Sequence, residues 1–374
     1  MFLKKFKFDS LLLVFLIIAI LTLFLVVYPF LVLFLKSFNV SLVGESFFSL
    51  NTYFEVFTDR FTLSALKNTT LISVTVTFLS LFAGGILAWL VTRTDFPYKR
   101  FVKNNVFLTF CIPPYILGLS YIEFFTRNGY FHRFLRIVFN LKKYTFSVYS
   151  LWSVVIVLSI HLYPLVFMSI SNALSKTDNS LEDAAVITGA HRFKAIMTIT
   201  IPMITPAIFS IGLFVFSRSM ANFGATALLL PPTEETMTTR IYSSLSQLDM
   251  NTVAVMSIIL VLFSGLLFLF QNILLGKKKY TIESSQISSP RLTKLKKWKK
   301  PIAILVILFQ LLTTILPILV LFVSSFLKRW GLDLKLKNLT IQNYVDVFTN
   351  STSLRAFRNS ILYGLIAASI AIVI

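Results

Sequence analysis

Long apolar runs separated by short polar segments are the main pattern of this chain. Leu11 to Leu35 carries no charge and is long enough to cross a bilayer, which takes about 20 residues. It is too long for a signal-peptide core and no small-residue cleavage site follows, so it reads as an uncleaved first helix. Further spans are expected over 69–91, 105–122, 148–172, 201–221, 252–275, 301–326 and 359–374. The predicted fold is all-α, a polytopic transmembrane helical bundle of about eight spans, with the last cut short at Ile374. Ser80, Ala83, Gly84, Gly85 and Ala88 supply small side chains where helices can pack closely. Pro113, Pro114 and Gly118 interrupt the third span, and prolines at that depth free backbone carbonyls.

Composition supports this pattern. Of 374 residues, 56% are hydrophobic and only 13% charged, about half the usual globular share. The net charge of +20 lies between apolar runs, so lipid headgroups account for it better than nucleic acid does. The single Cys111 excludes an internal disulfide and a cysteine-rich metal site. With the N-terminus cytoplasmic, the inner segments hold 19 Lys and Arg and the outer ones 15. The short 92–104 loop and the 276–300 loop are the most basic and fall on the inner side, which sets the expected orientation.

The chain also contains a repeat. Tyr53, Val56, Phe57 and Thr58 return as Tyr344, Val347, Phe348 and Thr349 at an offset of 291 residues. The match continues through Leu63/Leu354, Ala65/Ala356 and Asn68/Asn359. Repeated helical halves are characteristic of transporters. The expected organisation is a first repeat over 1–275, a basic cytoplasmic linker over 276–300, and the incomplete start of a second repeat over 301–374.

Segment 176–200 interrupts the apolar runs with a polar helical loop. Asn179 or Ser180 is placed to cap a first helix, with Glu182 and Asp183 in its first turn. Ala184 and Ala185 leave a smooth face, and Gly189 permits a sharp break. A second short helix is expected from about His191, with Pro202 opening the next span.

Asp183-Ala184-Ala185, then Gly189, then Ile199 and Pro202 resemble the EAA loop of ABC importer permeases, with Asp for Glu at 183 and Ile for Leu at 201. That resemblance implies a type I permease whose loop, including Glu182, docks on ATP-binding cassette subunits. It implies two such ATPases and an extracytoplasmic substrate-binding protein as partners, in the cell inner membrane. Ile112-Pro113-Pro114-Tyr115, Asn128-Gly129 and Asn222-Phe223-Gly224 look most like the ferric iron members of the fused two-repeat group, which also serves thiamine and phosphonate. Thiamine, phosphonate and polyamine are the alternative substrates.

Pro113, Pro114, Tyr115, His161, Arg218 and Asn222 are the candidates for a translocation path. Intramembrane ionisable groups such as Arg218 are functional candidates by default. His161 fits an interhelical hydrogen bond better than a metal site, which needs several ligands. Glu123 is expected at the interface. No phosphate-binding loop is present and no catalytic constellation is evident, so the chain is expected to be neither an ATPase nor another enzyme, without cofactor or metal. A secondary transporter is the alternative of a different class, and a membrane-embedded enzyme or signalling protein is another.

Overall fold

The computed structural model describes residues 15–16, 18–39, 48–140, 147–177, 180–276 and 292–373. Asn179 and most of the 276–300 linker lie outside them. In chain order the helices are α1 Ile18–Ser37, α2 Asn51–Thr58, α3 Arg60–Arg93, α4 Lys99–Cys111, α5 Pro114–Phe125, α6 Tyr130–Phe139 and α7 Leu151–Lys176. They continue with α8 Ser180–Ile187, α9 Arg192–Met220, α10 Gly224–Leu229, α11 Met237–Ser246, α12 Met250–Gly276, α13 Lys296–Ser325, α14 Gln342–Thr349 and α15 Ser351–Val373.

The predicted helical bundle is borne out, with differences in the spans. Among the described residues six helices are long and apolar enough to cross a membrane, or seven if a bent pair counts as one. That pair is the expected third span, which breaks at Ile112–Pro113 and bends by 98°. Proline 113 has no N–H to continue the helix and forces its predecessor out of the α-region, so Ile112 is extended. The expected eighth span belongs to α15, which begins at Ser351 and carries Arg355 and Arg358 in its first turns.

Two compact units emerge. The larger comprises Asp59–Ser243 and Leu260–Phe322. Its centre is the crossing of α3 and α7. Ile72, Val76, Leu87 and Val91 of α3 are buried with Leu158, Tyr163 and Val166 of α7, and Val215 of α9. Approach is closest at Gly84, where a Cβ would stand 2.6 Å from the Tyr163 carbonyl oxygen and 2.7 Å from Val166 Cβ. Of the small residues expected to pack, Ser80, Gly84 and Ala88 are buried, while Ala83 and Gly85 are half-exposed.

Asp59 caps α3: its carboxylate accepts from the Phe61 and Thr62 amides at 3.2 and 3.0 Å and from the Thr62 hydroxyl at 2.7 Å. Arg240 closes onto the same carboxylate at 3.0 Å and onto Glu235 at 3.1 Å.

The smaller unit comprises 1–58, 244–259 and 323–374. Ser37 and Tyr53 join hydroxyls at 2.7 Å, with the Phe38 ring 5.3 Å from that of Tyr53. Ser325 and Tyr344 do the same at 2.6 Å, with the Phe326 ring 5.2 Å from that of Tyr344.

Three of the long helices contain one π-turn, at Leu23–Val27, Ile196–Thr200 and Leu311–Ile315. Each is followed, after one intervening residue, by a proline: Pro29, Pro202 and Pro317. A proline cannot donate to the carbonyl four residues back and its ring crowds that group. Widening the preceding turn to a five-residue hydrogen bond removes the clash. Pro164 of α7 and Pro206 of α9 have no such turn just before them.

Candidate coupling loop and translocation path

The polar loop is organised around α8. Glu182 and Asp183 occupy its first turn, where the helix dipole favours acids. Its end is closed by a paired bond pattern: the Gly189 amide donates to Val186 and the Ala190 amide to Ala185, at 3.0 and 2.9 Å. This double closure requires a left-handed residue at the turn, and Gly189 supplies it with φ +96°. A Cβ there would meet nothing within 4 Å, so the demand is purely conformational.

Beyond Gly189 the structure corrects one expectation. The second loop helix and the fifth span are a single helix, α9, and Pro202 lies well inside it rather than opening a new one. The π-turn at Ile196–Thr200 accommodates Pro202, which is why the chain need not break there. His191 Nδ1 caps the start by accepting from the Phe193 amide at 3.3 Å. Buried Thr200, in the π-turn, donates its hydroxyl to the Glu182 carboxylate, tying the first turn of α8 to the root of the span.

Of the remaining loop residues, Ala185 and Ile199 are half-buried, whereas Ala184 and Pro202 are exposed. Ile187 and Phe193, 85% and 62% exposed, add apolar surface to the loop. A narrow cleft beside α8 is lined by Glu182, Asp183, Arg192 and Thr293.

The candidate path residues fall into two groups around the break between α4 and α5. His161 is buried in α7, and its Nδ1, carrying the proton, donates to the Ile112 carbonyl at 3.1 Å. Ile112 lies in the break between α4 and α5, so His161 ties α7 to the broken backbone there. The imidazole also stacks on Phe110 at 5.8 Å. Pro114 opens α5, and Tyr115 next to it packs where a Cβ on Gly224 would come within 3.5 Å of Tyr115 Cβ.

Asn222 lies two residues before Gly224 and caps α10: its Oδ1 accepts from the Ala225 amide at 3.0 Å. Its own carbonyl accepts from Thr226 and Thr238 hydroxyls, both at 2.9 Å. Arg218, one turn earlier on α9, is exposed and within electrostatic range of His161. Glu123, expected at the interface, is buried near the end of α5.

Sequence reasoning missed a hydroxyl cluster at the α13 π-turn. Thr109 of α4 lies 3.3 Å from the Tyr163 phenol and 2.5 Å from the Thr314 hydroxyl. Thr314 donates to Gln310 at 3.4 Å, and Tyr121 donates to the Leu312 carbonyl at 3.3 Å. Thr313-Thr314 inside an apolar run, just before Pro317, was the available signal. No group of three or more His, Cys, Asp or Glu able to hold a metal exists among the described residues.

A bundle of long apolar helices with a broken span and a polar loop braced against a membrane helix defines a multi-pass membrane protein. Residues 80–280 match the family described as binding-protein-dependent transport system inner membrane component, and the chain belongs to that family. It is 26% identical over 358 residues to a ferric transport system permease protein, FbpB, of Actinobacillus pleuropneumoniae, covering 94% of this chain and 50% of the relative. The chain thus spans about half the length of that relative. It is 33% identical over 147 residues to the molybdenum transport system permease protein ModB of Escherichia coli K12, covering 39% of this chain and 62% of that protein. In fold it resembles a bacterial ABC transporter involved in the import of the acidic polysaccharide alginate. There the TM-score is 0.62 at 20% identity, covering 74% of this chain and 98% of that one.

Proposed function

We propose that this chain is the permease subunit, or part of it, of an ATP-driven importer for ferric iron, with its N-terminus in the cytoplasm of a bacterial cell. ATP is hydrolysed elsewhere, in two ATP-binding cassette subunits, and an extracytoplasmic binding protein delivers the substrate. The observation that carries this reading is the bracing of α8 on α9 through Glu182 and Thr200, together with the continuity of α9 from Arg192 to Met220. Force applied to Asp183, Ala184, Ala185 and the Gly189 turn passes into the span without a flexible joint. That is the coupling a rigid-body change of access requires. The exposed apolar side chains of Ile187 and Phe193 suit burial against an ATPase groove.

In this reading the Pro113–Pro114 break, Tyr115, His161, Arg218 and Asn222 border the path, and exposed Arg218 attracts an anionic iron chelate. Residues 301–374 begin a second permease repeat. Ferric iron rests on a likeness that runs along 94% of the chain, whereas molybdenum and sulfate, the competing substrates, rest on likenesses over 53% and 52%.

The test is uptake by cells expressing the complete transporter. Saturable ferric uptake that molybdate does not inhibit, abolished by Gly189→Arg with membrane insertion intact, supports the assignment. Inhibition by molybdate overturns the substrate, and normal uptake in Gly189→Arg overturns the coupling role. Uptake that survives ATP depletion and collapses with the ion gradient would place the chain among secondary transporters.

A further inference from the structure

One element of the larger unit has no part in that mechanism. Between Phe124 and Ser150 the sequence holds five basic residues, Arg127, Arg133, Arg136, Lys142 and Lys143, and no acid. Within this stretch lies α6, Tyr130–Phe139. Its ten residues rise about 15 Å, half the hydrocarbon core of a bilayer, so α6 cannot cross one.

The residues of α6 sort by angle. At about 100° per residue, counted from Tyr130, the side chains of Phe131, Phe134, Ile137 and Val138 fall between about −20° and 100°. Arg136 and Arg133 fall at about 240° and 300°. The side between these sectors, near about 170°, meets the protein: His132 is buried and Leu135 half-buried. The apolar sector is the exposed one. Phe134 and Val138 are more than half exposed and Ile137 is 83% exposed. In water the apolar stripe of a helix turns toward the core, and here it turns away from it.

The helix is held in this attitude. The Phe131 ring packs 5.8 and 5.2 Å from the rings of Phe124 and Phe125 in α5. A Cβ on Gly129 would stand 2.5 Å from the Glu123 carbonyl oxygen, so the turn from α5 into α6 is tight. Glu123, the acid nearest in sequence, is buried, while Arg127 and Arg136 are exposed. The ion pairs formed among the described residues involve neither arginine.

We infer that α6 is an interfacial anchor on an anionic bilayer, with Phe134, Ile137 and Val138 among the acyl chains and Arg127 and Arg136 on lipid phosphates. A short helix with an exposed apolar face and a basic polar face is built to lie in the membrane surface. Charge complementarity selects anionic headgroups. Because α6 follows directly from α5, the anchor steadies the half-span that begins at the Pro113 break. The inference stands independently of the transported substrate.

The experiment reconstitutes the complete transporter in phosphatidylcholine bilayers with and without phosphatidylglycerol, with Cys111 and any partner cysteines replaced. A spin label is attached at Val138→Cys or at Arg136→Cys, and its collisions with oxygen and with a neutral nickel chelate are measured. The expected result is a label at 138 that meets oxygen in preference to nickel, and a label at 136 that does the reverse. Phosphatidylglycerol should lower nickel access at 138 by about twofold, and Arg127→Gln with Arg136→Gln should remove that difference. Thermal unfolding confirms that the variants fold; should Val138→Cys not fold, Phe134→Cys on the same face replaces it. Nickel access at both positions would put α6 in water. A label at 138 that is immobile and closed to both reagents would mean that protein covers the face. Equal access in the two bilayers would remove the anionic preference. Each of these three results overturns the proposal.

Discussion

The Ser325 hydroxyl stands 2.6 Å from the phenol of Tyr344, and Ser37 meets Tyr53 in the same way at 2.7 Å. The likeness extends beyond these pairs. Asn51 donates to Glu55 as Gln342 donates to Asp346, and Asp59 caps the helix after α2 as Asn350 caps the helix after α14. From α2 and α14 onward the offset is 291 residues, but Pro29/Pro317 and Ser37/Ser325 are 288 apart. The second copy therefore has three more residues between its long helix and its short one.

Tyr344→Phe should cost about 1 kcal/mol, the net worth of an ordinary hydrogen bond. Tyr53→Phe should cost the same or less, because Ser37 also donates to the Phe34 carbonyl at 2.6 Å. Thermal unfolding in detergent checks both, and a loss several times larger in either would mean that the phenol does more than join two helices.

Gly84→Ala places a methyl 2.6 Å from a backbone oxygen of α7, which cannot move aside as a side chain would. The expected cost is about 2–3 kcal/mol, with α3 and α7 forced apart. Gly85→Ala, whose nearest neighbour is an Ile170 methyl at 3.7 Å, should be close to neutral. Melting temperatures that do not separate these two variants would contradict the packing.

At Gly189 the demand is on the backbone alone. Asn tolerates the left-handed region better than other residues with a Cβ, so Gly189→Asn should keep most of the uptake that Gly189→Val loses. The strain in the valine variant is about 1–2 kcal/mol. Parallel uptake and membrane-abundance assays check this; similar uptake in the two would show that the α8 turn is not under conformational control.

Asp59 gives a pH signature. Partial burial raises its pKa, but hydrogen bonds from Thr62 and Phe61 and the charge of Arg240 outweigh this and hold the carboxyl below its ordinary range. A carboxyl depressed in the folded state contributes stability above its unfolded pKa and loses it as pH falls through the folded value. The contribution should be intact at neutral pH and disappear below about pH 4. Asn at 59 would keep the cap and lose the ion pair, so Asp59→Asn should show a shallower fall in melting temperature between about pH 4 and pH 2 than the native protein.

The helical bundle and the turn at Gly189 were legible in the sequence because they rest on hydrophobicity and spacing. What escaped depended on backbone accommodation. A proline ten residues into a helix reads as a beginning, as Pro202 did, because a widened turn leaves no mark on the residues themselves. The hydroxyl cluster around Thr109, Tyr163 and Thr314 escaped because its members are 54 and 205 residues apart from Thr109. His161 was legible as an interhelical donor, yet its partner was not, since the Ile112 carbonyl is a backbone group that no side-chain pattern marks.

The π-turn at Ile196–Thr200 sets a phase. An ordinary helix advances about 100° per residue, and one extra residue in a single turn shifts everything beyond it by about that angle. Arg192–Ala195 and Ile201–Met220 therefore belong to one rod whose two ends are indexed by different clocks. Deleting one residue from the turn would re-aim the loop around its axis and return Pro202 to the carbonyl clash that the widened turn relieves. In this chain the direction in which the loop faces is encoded by a residue count rather than by the chemistry of the loop.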